Sequence, residues 1–234
     1  LRNWTGDVAI NAPAIDTFEA TDIAAYNLDG KWTDVLPFTN IFLYQSTFTE
    51  KADNGGSFLR LGGDTATGMV DPATLNDTIV MKFAGSSFRH NAAVSGMSVL
   101  HASVAEVFIE RSSFIGNKNE NTGALYLNTD QSSIDISEVN SMGNRAEFGA
   151  FLSVNGKSDI SIDNVTCTSD TALFVGGAIY TNDSSYISIR ASQFISNVYS
   201  AGQFGGLGGG ALFAEGDLQL HLAQSLFEGN NAQN

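Results

Sequence analysis

The sequence has little of several features that define common protein classes. One cysteine among 234 residues excludes an intrachain disulfide framework. Basic residues are scarce, with 11 Lys and Arg against 25 Asp and Glu. The resulting net charge of −14 argues against nucleic acid and anionic membrane surfaces as partners, because both need basic patches. No apolar run is long enough to cross a membrane as a helix, and no stretch shows sustained helical spacing of apolar residues.

What the sequence has instead is an internal repeat. An apolar-x-apolar pair occurs seven times, and five residues after each pair stands a position that is usually Phe. Three residues further on stands a position that is usually Asn. The last six of the Phe positions are 26, 27, 26, 27 and 33 residues apart, a period typical of stacked supersecondary units. The pairs are Ile41/Leu43, Met81/Phe83, Val107/Ile109, Ile134/Ile136, Ile160/Ile162, Ile187/Ile189 and Leu220/Leu222.

Each repeat also contains a glycine that opens a second apolar run, and the later ones are Gly123, Gly149, Gly177 and Gly210. One repeat therefore reads as strand, turn, strand, short strand, turn. The pairs alternate with polar residues, which is the period of a strand with one buried face. The sequence predicts an all-β fold, a right-handed parallel β-helix of about seven coils of 26–33 residues.

Stacking of such coils predicts ladders of like residues. Asn tolerates a left-handed turn, and its amide can bond along a stack of identical turns, so the Asn column has a structural reason to exist. Ser141 and Cys167 replace Phe, so we expect the core to narrow there or its neighbours to fill in. Asp170 replaces Asn in the other column. Cys167 is interpreted as a buried apolar residue. The predicted ladder residues are Phe88, Asn91, Phe114, Asn117, Asn144, Phe194, Asn197, Phe227 and Asn230.

The repeat divides the chain unevenly. Residues 1–40 match it poorly and are interpreted as a degenerate first coil or a cap, whereas residues 41–234 form the β-helix. Insertions at 62–77 and 200–209 lengthen two coils, and insertions in solenoids gather where partners bind. No capping unit follows the last Asn position, Asn230. We therefore expect a fragment of a longer solenoid, or an end face that another protomer or domain covers.

The motif pair Phe-x-x-Asn and Gly-Gly-Ala-(Ile/Leu) resembles the repeats of the chlamydial polymorphic outer membrane proteins and related β-helical surface proteins. The motifs stand at Phe88–Asn91, Phe114–Asn117, Phe194–Asn197 and Phe227–Asn230, with Gly176–Ile179 and Gly209–Leu212. The resemblance covers about residues 41–234 and implies a parallel β-helix of the pectin-lyase-like superfamily. It also implies a secreted or surface protein used for adhesion or assembly, often as one part of a much larger chain.

Parallel β-helices also include pectin-degrading enzymes, whose sites combine several short motifs. A polygalacturonase-like site needs Asn-Thr-Asp, Asp-Asp, Gly-His-Gly and Arg-Ile-Lys on adjacent coils, and this chain has only the first, at residues 128–130. Glycoside hydrolysis needs paired carboxylates. Asp135 with Asp159, or Glu138 with Asp163, are the candidate pairs on successive coils.

No catalytic, cofactor-binding or metal site is predicted from these patterns. Asp64, Asp71 and Asp77 fall in one insertion and could meet around calcium, although their spacing does not follow an EF-hand loop. The three histidines lie in different repeats without metal-ligand spacing.

The leading interpretation is a non-enzymatic extracellular or cell-surface β-helix. It would act as a structural, adhesive or assembly module of a larger surface protein or filament, with other subunits or further β-helix segments as partners. One alternative is a carbohydrate-active β-helix whose site lies under the 62–77 insertion. Another is a carbohydrate-binding module without turnover that uses exposed aromatics such as Tyr126, Phe151 and Tyr180. Four N-glycosylation sequons permit a glycoprotein; they begin at Asn3, Asn76, Asn164 and Asn182.

The glycine-led strands carry apolar residues on both alternate columns. Ala124 and Tyr126 lie on one column and Leu125 and Leu127 on the other. A strand with one wet face does not have this pattern. We therefore expect a neighbouring segment or another subunit to cover part of this sheet.

Overall fold

The described part of the chain consists of short strands that pair in parallel and of the turns that join them. The computed structural model describes residues 17–21, 24–26, 40–45, 47–49, 59–61, 80–93, 100–102, 106–119, 123–128, 132–183, 185–200 and 208–233. These ranges contain strands and turns, and no helix that could cross a membrane. Strands of successive repeats pair in parallel and in register, so the fold is an all-β parallel solenoid. The prediction of an all-β parallel solenoid is confirmed.

Two sheets of eight strands each run along the solenoid. Sheet A contains the apolar-x-apolar pairs and consists of β1 (Thr17–Thr21), β3 (Asn40–Tyr44), β6 (Val80–Ala84), β10 (Glu106–Glu110), β14 (Ser132–Ser137), β18 (Ser158–Asp163), β22 (Tyr186–Arg190) and β26 (Gln219–Ala223). Sheet B contains the Phe positions and consists of β2 (Ala24–Tyr26), β4 (Thr47–Thr49), β7 (Ser87–Arg89), β11 (Ser113–Ile115), β15 (Asn140–Met142), β19 (Thr166–Thr168), β23 (Gln193–Ile195) and β27 (Leu226–Glu228).

Two sheets of six strands each complete the coil. Sheet C contains the glycine-led strands and consists of β5 (Leu59–Leu61), β9 (Leu100–Ala102), β13 (Leu125–Asn128), β17 (Leu152–Asn155), β21 (Ile179–Asn182) and β25 (Leu212–Ala214). Sheet D follows the Asn positions and consists of β8 (Ala92–Ala93), β12 (Lys118–Asn119), β16 (Arg145–Phe148), β20 (Thr171–Val175), β24 (Val198–Ser200) and β28 (Asn231–Gln233).

Sheet D corrects the prediction of three strands per repeat, because a regular coil has four. Its strands are hidden in the sequence because few of their residues are buried. In β16 and β20 the buried residues are Ala146 and Ala172, and in β24 the residue in register with Ala172 is the buried Tyr199. A single buried residue of variable size gives no alternation that would mark a strand in the sequence.

The apolar pairs of sheet A line the interior. Ile134, Ile136, Ile160 and Ile162 lie in register from one strand to the next and are at most 1% exposed. Burial of this column along the axis stabilises the fold by about 1.5–3 kcal/mol for each fully buried side chain.

The interior Phe column is interrupted at Ser141, and the side chain of Phe151 fills core volume beside it. Phe88 stacks on Phe114 with ring centroids 5.0 Å apart, and the next residue of the column is Ser141. In the same coil Phe151 enters the core from the approach to β17, and its ring lies 5.5 Å from that of Phe114. The residue in register with Phe151 in the coil before is Ala124, so a large side chain replaces a small one where the Phe is missing.

The strands at 17–26 lie within the region predicted as a degenerate coil or cap. β1 pairs with β3 and β2 pairs with β4, both in parallel, so these two segments extend sheets A and B by one strand each. The insertion at 62–77 lies outside the described residues, as does 201–207 of the second insertion.

Candidate functional site

The turn between sheets B and D is held by the Asn column. Asn117 Nδ2 donates to the carbonyl of Phe88 at 3.1 Å and to Oδ1 of Asn144 at 2.9 Å. Its Oδ1 accepts the backbone N–H of Asn91 at 3.2 Å and Asn91 Nδ2 at 3.0 Å. Each buried amide therefore bonds to the coil on either side, and the column satisfies polar groups that burial would otherwise leave unpaired.

Asp170 interrupts this column with a carboxyl group that is fully buried. Its Oδ2 accepts the Ser141 hydroxyl at 2.7 Å, and its Oδ1 accepts the backbone N–H and Nδ2 of Asn144 at 2.8 and 3.0 Å. Burial raises the pKa of Asp170 to about 7, and the three hydrogen bonds act in the opposite direction. The departures from the repeat at Ser141 and Asp170 are thus connected, because the Ser141 hydroxyl donates a hydrogen bond to the Asp170 carboxyl group in the next coil.

Cys167 lies in the Phe column, three residues before Asp170. Its thiol is fully buried, and burial together with the neighbouring Asp170 raises its pKa well above the usual value. A nucleophilic cysteine needs the thiolate form and access to substrate. This environment is that of a buried apolar residue.

The outer face of sheet A carries an open groove of about 570 Å³. Three of its carboxylates, those of Asp135, Asp159 and Asp217, form no ion pair or hydrogen bond with another described residue. The sequence analysis did not identify Tyr186, Asp217 and Gln219 as groove residues. Counting forward one repeat at a time from Asp159 would have led to Tyr186 and then to Gln219, with Asp217 two residues before it. The outward residues of the groove are Ser133, Asp135, Asp159, Ser161, Tyr186, Asp217 and Gln219.

The carboxylate pairs expected to stack do not face one another. Asp159 lies beside Ser133 and Asp135 beside Ser161, so the two aspartates are diagonal neighbours. Asp163 lies beside Ser137, one residue before Glu138. Both expected pairs fail because their members are 24 and 25 residues apart, whereas the register between β14 and β18 advances by 26.

Asp163 instead forms an ion pair with the next coil. Arg190 Nη2 lies 2.7 Å from Asp163 Oδ2, and Arg190 Nε donates to Asp163 Oδ1 at 3.2 Å. The hydrogen bonds from Arg190 lower the pKa of Asp163. Because both side chains are exposed to solvent, this pair contributes little to stability.

The outer column of sheet C contains the aromatic residues Tyr126, Tyr180 and Phe213, and neighbouring rings pack against part of it. Tyr180 stacks on Phe213 at 6.2 Å, and Phe148 lies 5.3 Å from Tyr180 and stacks on Phe174 at 5.4 Å. Phe148 and Phe174 belong to the strands of sheet D that precede the glycine-led strands. Their contacts agree with the expected cover by a neighbouring segment.

The three aromatics proposed to bind glycans differ in access. Tyr126 and Tyr180 are half-buried on the outer column. Burial raises the pKa of both hydroxyls, and their hydrogen bonds to Asn155 and Asn182, respectively, act in the opposite direction. Phe151 is fully buried and cannot contact a glycan, which corrects that part of the expectation. The sequence did not show this because Leu125 pairs with Leu152, so the Gly149-Ala150 pair stands one residue earlier in register than Gly123-Ala124 and Phe151 takes the place of Ala124.

Two of the four sequons fall in the described residues. Asn164 is exposed in a left-handed turn with φ 54°, whereas Asn182 is half-buried and its Oδ1 accepts the Gly156 backbone N–H at 3.0 Å. Asn3 and Asn76 lie outside the described residues, as do the acidic candidates for calcium, Asp64, Asp71 and Asp77, and Thr129 and Asp130 of the Asn-Thr-Asp motif. Among the described residues no group of three His, Cys, Asp or Glu side chains could hold a metal ion.

Comparison with protein-family models, curated proteins and solved structures gives no match for this chain. The resemblance to polymorphic outer membrane protein repeats therefore stays a prediction carried by the motifs themselves.

Proposed function

We propose that this protein is a non-enzymatic β-solenoid module with a structural, adhesive or assembly role in a larger extracellular or cell-surface protein or filament. The observation that carries the proposal is the unbroken stacking of four sheets, which makes a rod whose coils can be extended by more coils of the same kind. Its partners in this proposal are other subunits or further β-helix segments.

The last coil presents the side chains that a further coil would cover. Leu220, Leu222 and Phe227 are 42%, 48% and 41% exposed, whereas their counterparts one coil earlier are fully buried. These three residues, the terminal face, continue the inward columns, and Phe227 stacks on Phe194 at 4.8 Å. A coil with the same apolar pair and Phe position would bury them in register, so a coil of this repeat type is the partner that the face fits.

Extension of the rod tests this proposal. A copy of residues 149–175 added after Asn234 would supply the next strand of each of the four sheets in the order C, A, B, D. Burial of the terminal face should then stabilise the chain by roughly 3 kcal/mol at about 1 kcal/mol for each half-exposed side chain. Thermal unfolding followed by circular dichroism should show a midpoint higher by several degrees.

The matched control is the same extension with its two inward isoleucines replaced by aspartate. It has the same length but would place charges in the core, so it should give no stabilisation. Equal midpoints for the extended and the original chains would contradict the proposal that the end face is built to stack.

The handedness, the number of coils and the repeat type are parts of the same proposal. The coils are proposed to be right-handed, about seven in number and of the polymorphic outer membrane protein type within the pectin-lyase-like superfamily. The motif pair Phe-x-x-Asn and Gly-Gly-Ala supports the repeat type. The same motifs support a surface or secreted location.

A second candidate function is favoured by the groove on sheet A. Its exposed Tyr186 ring, at 45% exposure, lies among the hydroxyl, amide and carboxylate groups of Ser161, Gln219 and Asp159. A few placed polar groups beside an aromatic surface are typical of small-molecule sites, and a glycan would match them. Binding without cleavage fits better than hydrolysis, because a glycosidase holds its acid in an apolar setting and both Asp135 and Asp159 are exposed.

A glycan array with a product assay separates the two functions. Glycan binding that is lost in Tyr186→Ala and retained in Ser137→Ala, outside the groove, would select the carbohydrate-binding function. Release of reducing ends from a polysaccharide would select the enzymatic alternative, and no binding would leave the structural module as the function.

A further inference from the structure

The Asn column has a fixed donor pattern that one residue does not follow. Asn197 Nδ2 donates to the carbonyl of Cys167 at 3.0 Å and to Oδ1 of Asn230 at 2.9 Å, as the column residues in earlier coils do with their own partners. At Asp170 the corresponding acceptors are the carbonyl of Ser141 and Oδ1 of Asn197. An ionised carboxylate has no proton to donate to either of them.

The surroundings of Asp170 contain donors but no cation among the described residues. Ser141 and Asn144 of the preceding coil donate to its carboxyl group, and Asn197 of the following coil accepts its backbone N–H at 3.0 Å. The titratable group that faces it is the thiol of Cys167 on its own coil, which is itself buried. A proton on the carboxyl group would remove a buried charge and supply the donor that the column lacks at this coil.

We propose that Asp170 acts as a pH-sensitive element of the solenoid, which makes the stacked coils more stable in mildly acidic surroundings than in neutral ones. The geometry carries this inference, since a fully buried carboxyl group takes the place of an amide donor in a column of hydrogen bonds. Burial also raises the pKa of Asp170 to about 7.

The direction of the pH effect follows from proton uptake by the two states. In the unfolded chain an aspartate loses its proton near pH 4, whereas in the folded chain Asp170 keeps its proton up to about pH 7. Between these values the folded state binds more protons, so stability falls as the pH rises. The contribution is complete below about pH 4 and is lost by about pH 7, above which the Asp170 contribution is constant.

The test compares the wild-type chain with Asp170→Asn, an isosteric variant that restores the amide and cannot titrate. Urea unfolding at several values between about pH 5 and pH 8 should show the wild-type midpoint falling relative to the variant up to about pH 7 and then running parallel to it. A constant difference between the two chains across this range would overturn the proposal.

A second measurement does not depend on the variant folding. The carboxyl carbon resonance of Asp170 in the ¹³C spectrum of the wild-type chain should titrate with a midpoint near neutral pH. A midpoint below about pH 5, in the ordinary range of aspartate, would equally overturn the proposal.

Discussion

At the scale of single residues, Ser141 lies where two columns of the solenoid meet. It occupies a Phe position of the core, yet its hydroxyl donates to Asp170 of the next coil at 2.7 Å and accepts Asn144 Nδ2 at 2.9 Å. A Phe at this position could not donate to the carboxyl group. The departures from the repeat at Ser141 and Asp170 are therefore linked by a hydrogen bond, and the third departure, Cys167, lies buried in the column beside Ser141.

Ser141→Ala should show this dependence directly. The substitution removes a donor to a buried carboxylate, which costs about 1–3 kcal/mol of unfolding free energy when Asp170 is ionised. The cost should be smaller in the Asp170→Asn background, where no buried charge needs the hydroxyl. A double-mutant cycle of urea unfolding near pH 8 measures the difference, and equal costs in both backgrounds would show that the two residues act independently.

The solvent exposure of their asparagine side chains distinguishes the two described sequons. Asn164 is exposed, and no hydrogen bond of its side chain to a described residue is found, whereas Oδ1 of Asn182 is already bonded to Gly156. Expression in a eukaryotic secretory pathway should therefore attach glycan to Asn164 in preference to Asn182, since the sequon must be accessible. Peptide mass spectrometry measures the occupancy of each site, with Asn164→Gln as the control; higher occupancy at Asn182 would contradict the prediction.

At the scale of elements, one coil compensates for a missing Phe in sheet B with a larger side chain on a facing strand. The coil that contains Ser141 in sheet B contains Phe151 beside sheet C, whereas the preceding coil has Phe114 and Ala124 at these places. Interiors are close-packed, so a change at one position has to be matched by its neighbour. The pair Ser141 and Phe151 satisfies this requirement.

Phe151→Ala should leave an unfilled core, at a cost of about 3–5 kcal/mol. The triple variant Ser141→Phe, Phe151→Ala, Asp170→Asn gives this coil the Phe and Ala of the preceding coil, restores the Asn column beside it, and should recover most of that loss. Chemical denaturation of the single and triple variants measures both effects. If the triple variant is no more stable than Phe151→Ala alone, the two positions do not share one core volume.

The repeat predicted sheets A and B well because their residues alternate strongly. The inward pairs such as Ile160 and Ile162 gave both the strand and its buried face. Sheet D was missed because strands such as β16 bury a single residue, here Ala146. The buried position of Phe151 and the groove beside Asp159 depend on register between coils, and a shift of one or two residues in that register is invisible in a single chain read along its length.

At the scale of the whole molecule, the solenoid is a one-dimensional stack in which each coil contacts its two neighbours. Stability is then the sum of coil and interface contributions, so a coil covered on both sides is held better than one covered on one side. The last described coil has its inward residues Leu220 and Leu222 half-exposed, whereas Ile160 and Ile162 are at most 1% exposed.

Amide hydrogen exchange should be slower in coils that are covered on both sides than in the last described coil. Amides of β14 and β18 should exchange slowly, and those of β26, β27 and β28 should exchange faster because the last coil opens without the rest of the stack. Exchange measured by mass spectrometry resolves the segments, and the chain extended by residues 149–175 serves as the control because its β26 is covered. Uniform protection along the solenoid would contradict the one-dimensional description.

The direction of the sheet hydrogen bonds has a mechanical consequence. In all four sheets these bonds join one coil to the next, so they lie along the axis of the rod. A pulling force applied along that axis loads the interfaces between coils in series, and the weakest interface separates first. The rod should then lengthen in steps, each releasing one coil of 26 or 27 residues in the regular region, or roughly 90 Å of extended chain. Such a rod would dissipate force through many small ruptures before it separates completely.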